Sequence, residues 1–277
     1  MINILFCGND KVFDGILTTS LSILMHSKID EPITFNIFSM DLTRLDPKYR
    51  IIEDNDVMIL DKVVKEFNPD NKVVKYDVTD IYEKEFGYCP NEGAYCSPYT
   101  LLRLFADMVL DVDKLLYLDM DLMFNKGIEN LYYIDINDYE YASARDHYGK
   151  YLINPNYINA GVLLFNMKKC RETNIFEKAR TWIKTKKLVF ADQSALYRST
   201  TKKKMLKQRF NDQKFLHKWT IIRHFSKRLF WLPYPHTDNI KQFHVDRVHK
   251  VFKYHQFDDI YEKYFSIKEE YNKWDFV

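Results

Sequence analysis

The chain has 277 residues, of which 46% are hydrophobic and 29% charged, so it can bury a large core, and extensive disorder is excluded. Its 20 Tyr and 20 Phe stand against only 7 Gly, a composition that excludes collagen-like and low-complexity proteins. The net charge of +2 argues against a general nucleic-acid-binding protein.

Strand and helix patterns alternate through the first two thirds of the chain. Short apolar runs predict strands, and apolar residues at helical spacing predict helices. The predicted strands are Asn3–Cys7, Ile33–Phe38, Lys72–Val78, Lys114–Leu118 and Ile158–Asn166. The predicted helices are Ile16–Met25, Val57–Phe67, Pro98–Val109 with Ser97 as its N-cap, Phe176–Lys186, Asp192–Tyr197 and Asp258–Lys273. This alternation predicts an α/β fold around one mostly parallel sheet.

The pattern changes beyond about Thr200, where basic and aromatic segments follow one another. We therefore predict a core over residues 1–200 and a C-terminal extension over 201–277 that folds back onto it. From Thr201 to His255 there are 14 Lys or Arg and 3 Asp or Glu, a net charge of +11, which leaves −9 for the rest of the chain. The near-neutral total is thus the sum of two unlike parts.

Two interpretations of the basic 201–255 segment stay open. It is either a solvated face, part of which meets the acidic remainder and a bound anion, or a peripheral membrane surface. Lys202-Lys203-Lys204 and Lys227-Arg228, beside Phe230 and Trp231, fit a surface that contacts anionic lipid.

The sequence also carries indications of compartment. It contains no apolar run of membrane-spanning length, and the segment from Met1 to Gly8 is typical of a buried strand rather than of a signal peptide. We therefore expect a cytoplasmic protein, with membrane association as an option. The four cysteines, Cys7, Cys89, Cys96 and Cys170, form no C-x-x-C pair, so we expect free thiols rather than a zinc cluster or a disulfide framework.

The most informative segment is the strand Lys114–Leu118 and the Asp119-Met120-Asp121 that follows it. Ligands of open α/β sheets bind beyond the carboxyl ends of strands, and two carboxylates there suit Mg²⁺ or Mn²⁺. Two alternatives are that the aspartates only cap a turn, or that Asp119 is the nucleophile of a haloacid-dehalogenase-type phosphatase. The phosphatase pattern has Thr or Val where this chain has Met123.

Five segments, in order, resemble the retaining glycosyltransferases of family eight, which include glycogenin and bacterial lipopolysaccharide galactosyl- and glucosyltransferases. Ordered co-occurrence is far more specific than any single motif. The segments are Asn3-Ile4-Leu5-Phe6 with the helix after it, Tyr99-Thr-Leu-Leu-Arg103-Leu, Asp119-Met120-Asp121, Asn159-Ala160-Gly161 through Asn166, and Asp192-Gln193.

The resemblance implies a glycosyltransferase-A fold, with a single mostly parallel sheet flanked by helices and a basic, aromatic-rich extension. It implies an enzyme that moves a hexose, glucose or galactose, from a UDP-sugar to an unknown glycan, lipid-linked or protein acceptor with retention of configuration. No nucleic-acid partner is expected.

The resemblance also implies a metal site. Asp119, Asp121 and His244 match the residues that hold manganese, with magnesium as an option, and His249 is a rival to His244. Lys250 matches the lysine that contacts the diphosphate. The extension would thereby complete the metal and diphosphate site.

Other positions match residues that face the nucleotide sugar. Arg103 would reach the nucleotide or the sugar, and Gln193 would line the sugar face opposite the leaving group. Gln193 is a poor nucleophile, so the resemblance favours front-face return over double displacement. The remaining matches assign Asp192 and Asp146 to catalysis, with capping of local structure as their alternative, and Asn9, Asp10, Met120, Asn159, Ala160 and Gly161 to the donor.

The chain departs from the family pattern at two places. Asn9 replaces the usual Asp near the base, and Val12 replaces the Tyr that stacks on it; UDP is still the expected nucleotide. In the H-x-x-G-x-x-K-P-W motif aligned on His244, Arg247 stands in the place of Gly. These departures keep open a catalytically degenerate protein that binds a nucleotide sugar without turning it over.

Overall fold

A computed structural model describes residues 1–93, 97–232 and 234–272. Its strands are β1 (Ile2–Cys7), β2 (Ile33–Ser39), β3 (Lys72–Asp77), β4 (Lys114–Leu118), β5 (Leu122–Phe124), β6 (Tyr141–Ala144), β7 (Val162–Asn166), β8 (Lys203–Leu206), β9 (Ile222–His224), β10 (Arg228–Phe230) and β11 (His236–Asp238). Seven of them form one sheet in the order β3-β2-β1-β4-β7-β6-β8. Only β7 runs against its neighbours in that sheet, which confirms the mostly parallel α/β fold.

The α-helices are α1 (Phe13–His26), α2 (Asp54–Phe67), α3 (Thr79–Phe86), α4 (Ala106–Val109), α5 (Glu129–Tyr132), α6 (Gly149–Leu152), α7 (Met167–Thr173), α8 (Ile175–Thr185), α9 (Ala191–Ser199), α10 (Val245–Arg247) and α11 (Asp258–Glu270). Pro98–Phe105 differs from the prediction, because it is a 3₁₀-helix and the side chain of Ser97 does not cap it. Nearly every residue of this segment is buried, so packing rather than α-helix propensity decides its winding.

The sheet is buried on both faces because alternate side chains enter two separate cores. Ile2, Ile4 and Phe6 of β1 belong to one core, while Leu5 and Cys7 belong to the other. The strands β4 and β7 divide their residues in the same way. For this reason β1, β4 and β7 are continuous apolar segments in the sequence and do not alternate between apolar and polar residues.

The C-terminal segment is tied to the core at several places. The edge strand β8 extends the sheet past residue 200, and β9 pairs in antiparallel fashion with β5. The helix α11 packs on α1, where Lys268 Nζ lies 2.8 Å from Asp14 Oδ1. No helix among the described residues combines the length and apolar character that a bilayer crossing needs.

The cysteine prediction is confirmed where it can be compared. Cys7 and Cys170 are buried, Cys89 is partly buried, and all three are free. Cys96, like Lys273 at the predicted end of the last helix, lies outside the described residues.

Candidate active site

The two aspartates of Asp119-Met120-Asp121 lie where β4 ends and β5 begins. The backbone N–H of Asp119 donates to the carbonyl of Gly161 at 2.8 Å, and the N–H of Phe225 donates to the carbonyl of Asp121 at 2.7 Å. In the β5–β9 pair Leu122 lies opposite His224. This register brings the histidine next to a carboxylate that lies more than a hundred positions earlier in the chain.

Asp119, Asp121 and His224 form a compact cluster, which we call the DDH cluster. His224 Nε2 lies 3.0 Å from Asp121 Oδ1 and 3.8 Å from Asp119 Oδ2, and one ligand atom from each residue lies within 4.8 Å of the others. Two carboxylates and one imidazole are a set of ligands that fits Mn²⁺. The harder cation Mg²⁺ is the alternative.

The structure does not bring the predicted ligands His244 and His249 into this cluster. His244 Nδ1 accepts the backbone N–H of Lys241 at 3.2 Å, and His249 hydrogen-bonds Asp258. The physical reason is the β5–β9 register, which delivers His224 instead. Sequence reasoning missed His224, although it follows the short β-branched run Ile221-Ile222 and precedes Trp231 much as the histidine precedes tryptophan in the family motif.

Lys241, and not the predicted Lys250, is the lysine that lies beside the DDH cluster. Its Nζ lies 2.6 Å from Asp121 Oδ2, whereas Lys250 is exposed on the π-helical turn Val248–Phe252. Burial alone would raise the pKa of Asp121, but Lys241 and His224 together outweigh it and hold the pKa well below its usual range. Asp121 is therefore ionised and ready to accept a cation.

Arg103 is buried and contacts two carboxylates and a backbone carbonyl. Its side chain is 2% exposed, with Nη2 3.2 Å from Asp119 Oδ1 and Nε 3.3 Å from Asp192 Oδ2. Nη1 donates to the carbonyl of Ala160 at 2.5 Å, and the guanidinium lies 3.8 Å from the ring centroid of Tyr117. The hydroxyl of Tyr117, a residue that sequence reasoning did not single out, donates to Asp119 Oδ1 at 2.7 Å.

Asp192 does not cap its helix, because α9 begins at Ala191 and its N-cap position is Phe190. Its carboxylate is buried against Arg103; burial raises its pKa, and Arg103 opposes the rise. The neighbouring Gln193 accepts the N–H of Ala160 through Oε1 at 3.0 Å. The Asp192-Gln193 pair and the Ala160-Gly161 backbone therefore form one connected wall.

A chain of hydrogen bonds runs from Asp146 to the DDH cluster. Asp146 Oδ2 accepts from Asn159 Nδ2 at 2.9 Å, Asn159 Oδ1 accepts from Asn211 Nδ2 at 2.8 Å, and Asn211 Oδ1 lies 3.0 Å from His224 Nδ1. A carboxylate only accepts, so it sets the direction of every bond after it. His224 Nδ1 then donates to Asn211 Oδ1, so Nε2, which lies 3.0 Å from Asp121 Oδ1, is the ring nitrogen that would bind a cation after losing its proton. Asn211 is a further residue that sequence reasoning missed.

Gly161 lets this wall approach the DDH cluster. A Cβ at this position would lie 2.5 Å from His224 Cε1 and 2.8 Å from Asp119 Oδ2. No side chain fits there without moving a residue of the cluster. Asp146 also caps local structure, since its Oδ1 accepts the N–H groups of Tyr148 at 3.0 Å and of Gly149 at 2.6 Å.

The loop after β1 forms the other end of the site. Asn9 Nδ2 donates to the carbonyl of Lys48 at 3.2 Å, while Asp10 Oδ1 is buried without a hydrogen-bond partner among the described residues. The backbone of Met120 lies between this loop and the DDH cluster, and its carbonyl accepts from Gln242 Nε2 at 2.8 Å. A buried acceptor without a donor is costly unless a ligand supplies the donor.

Residues 3–214 match the family described as Glycosyl transferase family 8. The chain therefore belongs to glycosyltransferase family 8, as its ordered motifs indicate, and has the glycosyltransferase-A fold. Membership of this family speaks against the haloacid-dehalogenase interpretation of Asp119.

Individual relatives agree with this assignment. The chain is 28% identical over 179 residues to the glycosyltransferase GlyA of Streptococcus pneumoniae, a match to 63% of this chain and 22% of that protein. It is 31% identical over 137 residues to a Haemophilus influenzae protein named as a glycosyltransferase, which covers 42% of each. The matched region thus spans less than half the length of either curated relative.

Solved structures show the same fold over nearly the whole chain. The galactosyltransferase LgtC, in complex with donor and acceptor sugar analogues, superposes with a TM-score of 0.67 at 18% identity, covering 96% of both chains. GlyE of Streptococcus pneumoniae superposes with a TM-score of 0.64 at 18% identity, covering 96% of this chain and 64% of that one. At this level of identity the likeness concerns the fold alone.

Proposed function

We propose that this protein is a retaining hexosyltransferase that moves glucose or galactose from a UDP-sugar to an acceptor hydroxyl, with a divalent cation held by the DDH cluster. The observation that carries the proposal is the convergence of Asp119, Asp121 and His224 beside the Asp192-Gln193 wall. Manganese held by these three residues would neutralise the diphosphate as it leaves.

The charges around the cluster support a diphosphate site. Lys241 Nζ lies 2.6 Å from Asp121, close enough to shift from the carboxylate to a phosphate oxygen when a cation takes its place. Asp10 Oδ1, which has no hydrogen-bond partner within residues 1–93, 97–232 and 234–272, is an acceptor of the kind that an N–H of a uracil ring would satisfy. The base and the diphosphate would thus lie on either side of the Met120 backbone.

The surroundings of the carboxylates favour front-face return. Asp192 is paired with Arg103 in a buried position, and Asp146 accepts hydrogen bonds at both of its oxygens. Gln193, whose Oε1 accepts from Ala160, carries an amide that is a weak nucleophile. A double displacement needs a carboxylate at the anomeric carbon, and these predicted catalytic residues are engaged elsewhere.

A cavity of about 570 Å³ beside Asp146 and Asn159 is the candidate acceptor site. Leu152 and Val189 line it and are 82% and 76% exposed, and Lys214 contributes positive charge. Apolar and cationic groups together suit a lipid-linked glycan whose linkage is anionic. Peripheral membrane contact through 201–255 is part of this proposal.

The proposal is tested by screening nucleotide sugars for Mn²⁺-dependent hydrolysis and by comparing Asp121→Asn with Asp246→Asn, an exposed aspartate on α10. We expect turnover of a UDP-hexose that falls by about 100- to 1000-fold in Asp121→Asn and is unchanged in Asp246→Asn. Turnover that survives both EDTA and Asp121→Asn would refute the metal mechanism. Mn²⁺-dependent UDP binding without turnover of any sugar would favour the degenerate binding protein.

A further inference from the structure

We propose that His249, His255 and Asp258 form a second metal site, selective for zinc or a similar borderline cation, at the start of α11. One ligand atom from each residue lies within 4.8 Å of the others. The proposal concerns residues that the proposed transfer reaction does not use, so either one can fail without the other.

Both imidazoles converge on the same carboxylate. His249 Nε2 lies 2.7 Å from Asp258 Oδ1, and His255 Nδ1 lies 3.3 Å from Asp258 Oδ2. The two rings are stacked, with centroids 4.5 Å apart and planes 25° apart. Tetrahedral zinc with bonds of about 2.0–2.2 Å separates its ligand atoms by about 3.3–3.6 Å. The His255–Asp258 pair already has this spacing, and the hydrogen-bonded His249–Asp258 pair would open by about 0.6 Å when an ion replaces the proton.

The chain is shaped to hold the three residues together. His249 lies on the π-helical turn Val248–Phe252, and Lys253 after it adopts a left-handed conformation with φ of 59°. The chain then reverses to deliver His255 and, in the first turn of α11, Asp258. The ring of Tyr261 packs edge-on against His249 at 5.7 Å. This packing fixes one face of that imidazole.

The donor set distinguishes this site from the DDH cluster. Two nitrogens and one carboxylate select Zn²⁺, Co²⁺, Ni²⁺ or Cu²⁺ over Mg²⁺, whereas two carboxylates and one nitrogen accept Mn²⁺ and Mg²⁺. His255 and Asp258 are also exposed, at 64% and 47% of their side chains. An ion can therefore enter from solvent, with water completing the fourth position.

A purely structural role is the competing explanation. An acidic side chain in the first turn of a helix stabilises the helix dipole, and the histidines would then only hydrogen-bond that carboxylate. The two explanations differ in one measurable respect: a capping cluster binds no ion, while a metal site binds one ion per chain and loses it with its ligands.

The experiment is Zn²⁺ and Co²⁺ titration calorimetry on the chelator-treated full chain in an Asp121→Asn background, which weakens the DDH cluster. We expect one Zn²⁺ per chain, a rise in the melting midpoint on binding, and visible Co²⁺ bands of four-coordinate intensity. The double change His249→Ala with His255→Ala should weaken Zn²⁺ binding by roughly 100-fold or more. His236→Ala, a histidine on β11, is the matched control and should leave binding unchanged.

Asp258→Asn keeps the shape of the side chain, so it provides a second test if the double variant does not fold. It should also weaken Zn²⁺ binding. The proposal is overturned if Zn²⁺ does not bind at micromolar concentrations. It is also overturned if the double variant binds Zn²⁺ with the same stoichiometry and affinity as the parent protein. A third contrary result is that Asp258→Asn lowers the melting midpoint of the metal-free protein while Zn²⁺ changes the melting midpoint of neither the parent protein nor this variant.

Discussion

The DDH cluster and the His249–His255–Asp258 cluster use the same residue types but are built in different ways. In the first, each ligand is held by further residues: Arg103 and Tyr117 hold Asp119, Lys241 holds Asp121, and Asn211 holds His224. In the second, His249 and His255 both hydrogen-bond Asp258, a residue close to them in sequence. The difference teaches that neighbouring side chains which hold the ligands in place, rather than the ligands alone, distinguish the proposed catalytic centre from the proposed zinc site.

The largest effect should come from Arg103→Met, which leaves the buried carboxylate of Asp192 and the partly buried carboxylate of Asp119 without their arginine. We expect unfolding free energy to fall by about 3–5 kcal/mol, as measured by urea denaturation. Arg44→Met is the control, because Arg44 pairs with Glu83 and Glu92 at a partly exposed position and should cost about 1 kcal/mol or less. Equal losses in the two variants would mean that Arg103 contributes no special stability.

Gly161→Ala should come next, because its Cβ would press on His224 Cε1 and Asp119 Oδ2. We expect a destabilisation of about 1–3 kcal/mol together with Mn²⁺ binding that is weaker by at least about tenfold. Gly127→Ala is the control: its new Cβ meets the carboxylate end of Glu129, a flexible group that can move aside. Wild-type Mn²⁺ affinity in Gly161→Ala would show that the wall is not rigid.

Asn211→Ala tests the hydrogen-bond chain that orients His224. Without an acceptor at Nδ1 the ring can change tautomer, so we expect Mn²⁺ affinity to fall by about 10- to 100-fold with a smaller change in stability. Calorimetry with Mn²⁺ measures it, and Asn156→Ala, whose side chain accepts from Arg145 at the surface, should leave the affinity intact. An unaltered affinity in Asn211→Ala would contradict the orienting role.

The smallest effect is expected from His249→Ala in the metal-free protein. This position lies in the His249–His255–Asp258 cluster near the surface, so unfolding free energy should change by no more than about 0.5–1 kcal/mol. UDP-sugar hydrolysis with Mn²⁺ should not change. Urea denaturation measures the change in unfolding free energy, and the hydrolysis assay measures the change in turnover. A large loss of hydrolysis here would erase the distinction between the clusters.

Much of the fold could be predicted from the chain because its strands are buried on both faces. The runs at Asn3–Cys7, Ile33–Phe38 and Lys114–Leu118 were predicted to within a residue or so of β1, β2 and β4, since alternate side chains all enter apolar cores. A helix from Pro98 to Val109 was also predicted, but the 3₁₀ winding of Pro98–Phe105 was not, because it reflects burial on almost every side rather than a local preference.

The sequence by itself determined the position of Asp119-Met120-Asp121 after a buried strand. It also determined the ordered motifs of family 8. The partners of that carboxylate pair were decided only by the tertiary structure. Several histidines and lysines follow residue 216. The spacing of His244 and Lys250 resembles the family motif, yet the structure places His224 and Lys241 beside the carboxylates. The pairing of β9 with β5 makes that choice, because strand register sets which side chain faces a site, and register depends on contacts between residues distant in sequence.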